Sequence, residues 1–423
     1  MTRNEDVIEA MVERFDHHAP EFAQEGVPHR VYAEMRDRCP VQWSDAQGGF
    51  WVVSKYEDID RVAYDASVFS SALGNLVPTG YDALPQSERK AKLGSGRGDA
   101  PPVFFDPPLH GEYRRALNPL FTPSAVRVRE DYIRSVTDEF IDVFIGSGSC
   151  ELIGDFCAPV PAIVVLDWLG MPIDGWRQWS DAVLSQFENP GQTGPDISKL
   201  DMPAVLAEVQ DRRVNPRDDV LSALCQTEVE GNLLTEIELL QVVAVIITAG
   251  LDTTTNAVAN SLIELQRHPE LRAELARTPI GDPLWGTAVE ELLRYICPVQ
   301  GFRRTARETA QVGSATVQAE DRVFMLWASG NFDTEVFVEP ERLDLRRPNN
   351  RHMSFGRGIH RCLGAHLARL EMTIMLQQLI HRIPEYRIDE AAMRLHSNVG
   401  LVYGYGAVPM SFQDPAITTS RDA

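Results

Sequence analysis

The sequence predicts a mainly helical fold with small β-sheets, an α+β class, and three observations predict it. From His110 to about Gln266 apolar residues recur almost continuously at helical spacing. Short runs rich in β-branched and aromatic residues lie towards both ends of the chain. No obvious linker divides the sequence, so its 423 residues read as one body, although chains of this length often split into domains.

Taken in order, the start MTRNEDVIEAMVERFDHHAPEF is acidic and lacks the apolar core of a signal peptide. Residues 1–27 therefore read as an N-terminal extension. HRVYAEMRDR has helical spacing, and the strand-like PVQW and FWVVS follow, separated by the turn-forming SDAQGG. Residues 72–108 are crowded with Gly, Pro and Ser and predict a long irregular loop, a length usually reserved for function or disorder. DPPLHGEYRR, 106–115, places two prolines at a helix start, with His110 and Arg114 one turn apart on one face. Two cationic donors so spaced suit a carboxylate or phosphate, and a solvated basic face has the same pattern. A break at NPGQTGPD, 189–196, separates two helices, and NPRDD, 215–219, opens another.

Thr235-x-x-Glu238 is a capping box opening a long helix over 235–268, which spans roughly 50 Å and must cross the molecule. Its middle reads AGLDTTT where a core helix should be aliphatic. Gly250 costs about 1 kcal/mol there against Ala, and Thr253 can bond back to the Ala249 carbonyl. Either Asp252 and the threonines form a solvated stripe, or Ala249 and Gly250 make room for a ligand. In the second case Asp252 and Thr253 set a carboxylate beside a hydroxyl, suited to relaying protons into a dry site. Glu291 and Arg294 can pair at i and i+3, and FVEPERLDL supplies Glu341 and Arg342 beyond them. PVQGFRRTA and VGSATVQAEDRVFML alternate like strands, and VGLVYGYGAVPMSF resembles a closing hairpin. Between them SFGRGIHRCLG, 354–364, sets Cys362 among glycines at the mouth of the helix AHLARLEMTIMLQQLIHRI.

The totals exclude several functions. A formal net charge of −21 would repel nucleic acid and anionic membrane alike. The six cysteines show neither CxxC pairs nor zinc spacing, which fits a reduced, cytoplasmic protein. No run reaches about 18 consecutive apolar residues, so no spanning helix is expected.

Together these segments resemble the soluble bacterial cytochrome P450 haem-thiolate monooxygenases. Phe355-Gly356-x-Gly358-x-His360-x-Cys362-x-Gly364 matches the family's haem-binding signature. Ala249-Gly250-Leu251-Asp252-Thr253-Thr254 matches its oxygen-activation segment, and Glu291-x-x-Arg294 its ExxR. PERL, 340–343, resembles PERF with Leu for Phe, and Asp106-Pro107-Pro108-x-His110-x-x-x-Arg114 matches the haem-gripping helix of bacterial members. All five occur in the family's order, over essentially the whole chain from about Pro28.

The resemblance implies a single domain, 1–423, holding haem b between the long distal helix and the proximal Cys-loop helix. Residues 72–108 would then be a substrate-access loop. Cys362 would be the axial iron ligand; His110, Arg114, His360 and an arginine of GFRRTA would meet the propionates. Arg304 is favoured for the last role, with Arg303 open. Phe355, Gly356, Gly364, Ala249 and Gly250 would adjoin the cofactor, Asp252 and Thr253 would be catalytic, and Glu291, Arg294 and Arg342 would form a structural triad. The family uses O2, with electrons from NAD(P)H through ferredoxin reductase and ferredoxin, and this sequence has no flavin or iron–sulfur motif of its own. An acidic ferredoxin needs a local basic patch, for which Arg114, Arg115, Arg357, Arg361 and Arg369 are candidates. The 72–104 loop, Ile246, Ala249, Val299–Phe302 and Gly400–Val402 would line a largely apolar pocket. A neutral terpenoid, steroid or aromatic suits it, and a fatty acid fits if Arg97 or Lys92 meets its carboxylate. A monomer is expected, without nucleic-acid or membrane partners. Two rivals, a peroxygenase and a non-catalytic haem-thiolate sensor, have no need of the acid–alcohol pair.

Overall fold

Local sequence sets the helix boundaries. Thr122 caps α6 (Pro123–Arg127), Asp201 caps α10 (Met202–Val214) and Asp219 caps α11 (Val220–Cys225), each side chain accepting a backbone N–H of the first turn. The capping box at Thr235 and Glu238 is formed in full and opens α12 (Glu236–Arg267), an unbroken α-helix of 32 residues. The remaining helices are α1 (Thr2–Glu13), α2 (Val27–Arg38), α3 (Tyr56–Tyr64), α4 (Gln86–Ser95), α5 (Leu109–Leu117), α7 (Glu130–Ile145), α8 (Pro159–Leu169), α9 (Trp176–Leu184), α13 (Pro269–Arg277), α14 (Leu284–Ile296), α15 (Trp327–Gly330) and α16 (Ala365–Arg382). These come from a computed structural model, which describes residues 2–187 and 199–413.

α8 is apolar on every side, and all of it except Asp167 is buried. It packs on α7, α9 and α12, while α12 also packs on α16, so α12 runs through the centre. By length and mean hydropathy α12 could cross a membrane, and in this structure its apolar residues pack against other helices. The main sheet has five strands in the order Val41–Ser44, Phe50–Val53, Arg322–Met325, Phe302–Ala306, Phe69–Ser70. Its register pairs Trp43 with Trp51 and Phe324 with Arg303, while the parallel pairing of Val323 with Trp51 joins strands about 270 residues apart in sequence.

Three expectations change, and a fourth is left untested. The 72–108 segment is not wholly irregular, since α4 lies within it. Residues 2–27 are no appendage: Phe15 and Phe22 are fully buried in the main core. The tail does not close as a hairpin, because Tyr405–Ala407 pairs with Arg394–Leu395 while Pro409–Phe412 lies between Tyr386–Ile388 and Ser149–Glu151. The break expected at 189–196 lies outside the described residues.

Candidate active site

The polar middle of α12 is an interior feature and not a solvated stripe. Asp252, Thr254, Thr255 and Asn256 are all buried. Thr253 Oγ donates to the Ala249 carbonyl at 2.8 Å, and Thr255 and Asn256 likewise bond back one turn, to Leu251 and Asp252. These bonds satisfy the side chains without breaking the helix. Ala249 and Thr253 remain accessible although α12 is the central helix, which marks a crevice along this face. Gly250 has a different reason from the expected one. A Cβ there would lie 2.9 Å from Val165 Cγ2, so glycine lets α8 approach α12 and does not make room for a ligand.

Asp252 is 6% exposed, and its Oδ2 accepts a 3.1 Å hydrogen bond from Gln186 Nε2 at the end of the α9 segment. Burial pushes its carboxyl up to about 7, against the opposing pull of the Thr253 and Asp252 amides and of Gln186. A carboxyl poised there can give and take a proton near neutrality.

The cysteine loop is held by its own backbone. Gly356 N–H donates to Met353 O at 2.7 Å and Cys362 N–H to Phe355 O at 2.8 Å. Gly356 and Gly358 both lie at positive φ, 66° and 67°. A Cβ on Gly358 would sit 2.2 Å from the Ala63 carbonyl, so this glycine serves the close approach of the loop to the end of α3. Gly364, at φ −79°, caps α16 without steric need for glycine. Cys362 is exposed, yet the atoms crowded around it still push its thiol up by desolvation. Exposure inside such crowding places the sulfur in a crevice and not on the outer surface. The Gly364 amide, Arg114, Arg369 and Arg361 pull the other way and are outweighed.

Beside it lies a cluster of hydrogen-bond donors, of which the arginines Arg304 and Arg114 are cationic. The His110 and His360 rings stand 4.2 Å apart, and burial followed by neighbouring cations lowers both. Among the described residues the Arg304 side chain, 4% exposed, bonds only the Arg303 carbonyl, at 2.8 Å, while Arg303 is spent on both Asp82 oxygens and Leu73 O. Arg114 reaches the Arg361 carbonyl. The acid nearby, Asp106, is already bonded by Ser70, the Ser71 amide and Arg307. Among the described residues, this buried cluster therefore has no free counter-charge, and it fits a group bringing its own carboxylates.

Glu291 and Arg294 form a fully buried bidentate pair, 2.8 Å on each arm. The third member is Arg347, not Arg342. Arg347 Nε lies 3.0 Å from both Glu291 oxygens, joined by Asn350 Nδ2 and the Asp344 amide. The Arg342 side chain is 67% exposed and pairs with Glu339, and only its carbonyl touches the network. Asn331 and Ser354 tie this network to the cysteine loop: Asn331 Oδ1 accepts from Met353 N–H, and Ser354 Oγ donates to Leu293 O. Nothing in the sequence marked Arg347, Asn331, Ser354 or Gln186, because their partners come from remote segments.

Of the basic-patch candidates, Arg115, Arg357 and Arg369 are paired with Glu112, Asp60 and Glu290. Arg361 is exposed, and no acid partner is found for it among the described residues. Val299 and Val402 meet in an isolated β-bridge, bringing two expected pocket segments together.

Fold and site together define a mainly helical protein that presents a thiol and a buried cationic cradle to an anionic cofactor, with an acid–alcohol pair on its central helix. Comparison with known proteins carries this further. The cytochrome P450 family profile matches residues 202–384. The putative cytochrome P450 YjiB of Bacillus subtilis is 32% identical, over 84% of this chain and 87% of its own length. Linalool 8-monooxygenase of Pseudomonas putida is 28% identical, over 92% and 96%. The solved structure of cytochrome P450 CYP109Q5 from Chondromyces apiculatus superposes with a TM-score of 0.81 at 30% identity, covering 95% of this chain and 99% of that one. The chain belongs to the cytochrome P450 family and is a P450 monooxygenase, an enzyme class that works with haem and O2.

Proposed function

We propose that the chain is a single cytochrome P450 domain, 1–423, that binds haem b through Cys362 and hydroxylates a neutral hydrophobic small molecule. The observation that carries this reading is the uncompensated cationic cluster beside the exposed thiol. His110, Arg114, Arg304 and His360 bind the two propionates, and Ala249, Phe355, Gly356 and Gly364 adjoin the ring. Thiolate-ligated haem supplies the oxygen-activating redox chemistry, since the sulfur pushes electron density towards the iron. Ala249 keeps the α12 face low, Thr253 presents its hydroxyl there, and Asp252 feeds it protons while Gln186 orients the carboxyl. Glu291, Arg294 and Arg347 support the loop and touch no reacting atom.

Pairing of the access-loop cations favours a neutral substrate. Lys92 is bound to Asp99 at 3.2 Å and Arg97 to Glu238 at 2.8 Å, so neither is free for a fatty-acid carboxylate. A terpenoid, steroid or aromatic remains, and linalool-like terpenoid alcohols are the first compounds to try. Electrons come from NAD(P)H through a ferredoxin reductase and a ferredoxin that docks around the exposed Arg361. The protein works as a cytoplasmic monomer.

The reduced carbon monoxide complex tests the ligation. Wild type should show the strongly red-shifted Soret band of thiolate haem, and Cys362→His should lose it while keeping haem. Absence of that band from folded, haem-loaded wild type overturns the reading. A low-to-high-spin shift on titration with neutral terpenoids, and none with fatty acids, is the expected substrate result.

A further inference from the structure

Two neighbouring carboxylates of α14 face different partners. Glu291 holds the buried arginine network, while Glu290, about 100° further round the helix, meets α16 and the cysteine loop. Arg369 grips Glu290 with both arms, Nε on Oε1 and Nη2 on Oε2 at 2.8 Å. His352 Nδ1 accepts the Ser354 N–H at 3.2 Å, so its ring proton sits on Nε2, which lies 3.1 Å from Glu290 Oε2. Burial alone would push the Glu290 carboxyl up, but the bonds from Arg369 and His352 outweigh it and hold it down at about 2. Glu290 is therefore fully ionised near neutrality.

This pair reaches the thiol through one residue. The Arg369 guanidinium lies 4.3 Å from the centroid of the Phe355 ring, and the Phe355 carbonyl accepts the Cys362 N–H at 2.8 Å. Burial raises the Cys362 thiol, and the Gly364 amide, Arg114, Arg369 and Arg361 oppose it. Among the described residues, Arg369 alone of these three arginines is paired with a carboxylate; Arg114 reaches only the Arg361 carbonyl. Stability is the weaker account of that pairing. The Arg369 and Glu290 side chains are 25% and 29% exposed, and an ion pair open to solvent contributes about 1 kcal/mol or less. Charge next to the sulfur has a larger consequence, because a thiolate ligand acts by pushing electron density towards the iron.

We propose that Glu290 is a positioning residue for the redox chemistry: by neutralising Arg369 and seating it on Phe355, it keeps an unbalanced positive charge from drawing electron density off the Cys362 sulfur. It thereby sets the potential at which the bound haem takes up its first electron from the ferredoxin. The proposal rests on Cys362 being the axial ligand. The reduced haem carries one more negative charge than the oxidised haem, so an added positive charge beside the sulfur favours it.

A redox titration of the haem-loaded protein, with dithionite as electron donor and mediator dyes, tests this. Glu290→Gln removes the charge at nearly constant shape and should shift the one-electron equilibrium about 3- to 10-fold towards the reduced form, which is about 30–60 mV upward at 59 mV per tenfold. Arg369→Gln should shift it the other way, and the double variant should lie nearer wild type than either single one. The infrared stretch of bound carbon monoxide should rise in Glu290→Gln and fall in Arg369→Gln, because weaker electron push leaves the C–O bond stronger. If Glu290→Gln fails to hold haem, the sign of the Arg369→Gln shift decides. Potentials that stay in place, or that move in the same direction in both single variants, overturn the proposal and leave the ligation reading standing. Absence of the red-shifted carbon monoxide band from wild type overturns the ligation reading and the proposal with it.

Discussion

Asp252 should titrate near neutrality, with a midpoint that Gln186 helps to set. Burial moves its carboxyl from 3.8 to about 7. At 1.36 kcal/mol per pH unit, that is about 4 kcal/mol against the ionised form. The sign follows from linkage. A raised carboxyl binds its proton more tightly folded than unfolded, so stability falls as pH climbs from about 4 and the loss is complete above about 7. Asp252→Asn removes the charge at nearly constant shape. The variant should match wild type near pH 4 and gain up to about 4 kcal/mol by pH 8, less whatever the new amide loses in hydrogen bonding. Gln186 donates to the carboxylate, and such charge-assisted bonds contribute about 1.5–3 kcal/mol. Gln186→Leu should therefore raise the midpoint by about one pH unit or more. The assay is an infrared titration of the carboxyl band in the haem-loaded protein, assigned by its absence from Asp252→Asn. Coupling of reductant to product, if Asp252 donates the proton, should decline through the same pH window. A midpoint near 4, or one that Gln186→Leu leaves in place, would refute the reasoning.

The other expectations concern the supports. Arg347→Ala breaks a buried ion network and should cost about 3–5 kcal/mol, whereas Arg342→Ala should stay within about 0.5 kcal/mol; urea unfolding with haem retention as second readout separates them. Gly250→Ala drives a methyl onto Val165, costing about 1–3 kcal/mol of overpacking less up to about 1 kcal/mol of helix propensity. Val165→Ala should restore part of that loss, and a double-mutant cycle with zero coupling would remove the steric explanation. Gly358→Ala meets both a left-handed φ and the Ala63 carbonyl, so it should cost more than the roughly 1–2 kcal/mol of the dihedral alone and shed haem, read by thermal unfolding followed at the Soret band.

What the sequence disclosed, and what it withheld, divides along a physical line. The residues around Cys362, Thr253, Glu291 and His110 were legible because each function needs neighbours at fixed local spacing, on one loop or one helix face. The Thr253–Ala249 bond was readable for the same reason: both partners lie within one turn. Arg347 was not, since several basic residues follow PERL and only the path of the chain decides which one reaches Glu291. Gln186 meets Asp252 from a segment 66 residues away. Gly250 was correctly singled out for the wrong reason, because the neighbour that needs its missing Cβ is on α8. α4 escaped detection because SERKAKLGS buries only Leu93, and one apolar residue makes no periodic stripe. The tail looked like a hairpin because both strands alternate, but alternation names a strand and not its partner.

These supports are unequal on the two sides of the chemistry, and that inequality separates two kinds of failure. The cysteine loop is fixed by main-chain bonds at Phe355 and Met353, by Asn331 and Ser354, and through them by the Glu291–Arg294–Arg347 network. Those groups are buried and charged, so removing one leaves an uncompensated partner and the whole loop is at stake. The acid on α12 is held at its side chain by neutral donors alone, the Gln186 carboxamide from a short turn at Ser185–Phe187 and the Thr253 and Asp252 amides. Losing the Gln186 bond leaves the helix intact and alters only where the carboxyl points and how readily it ionises. Variants on the loop side should therefore fail together in stability, haem content and activity. Variants at Gln186 should keep haem and fold while the pH profile and the coupling of reductant to product change, which makes that residue the cleaner handle on proton delivery.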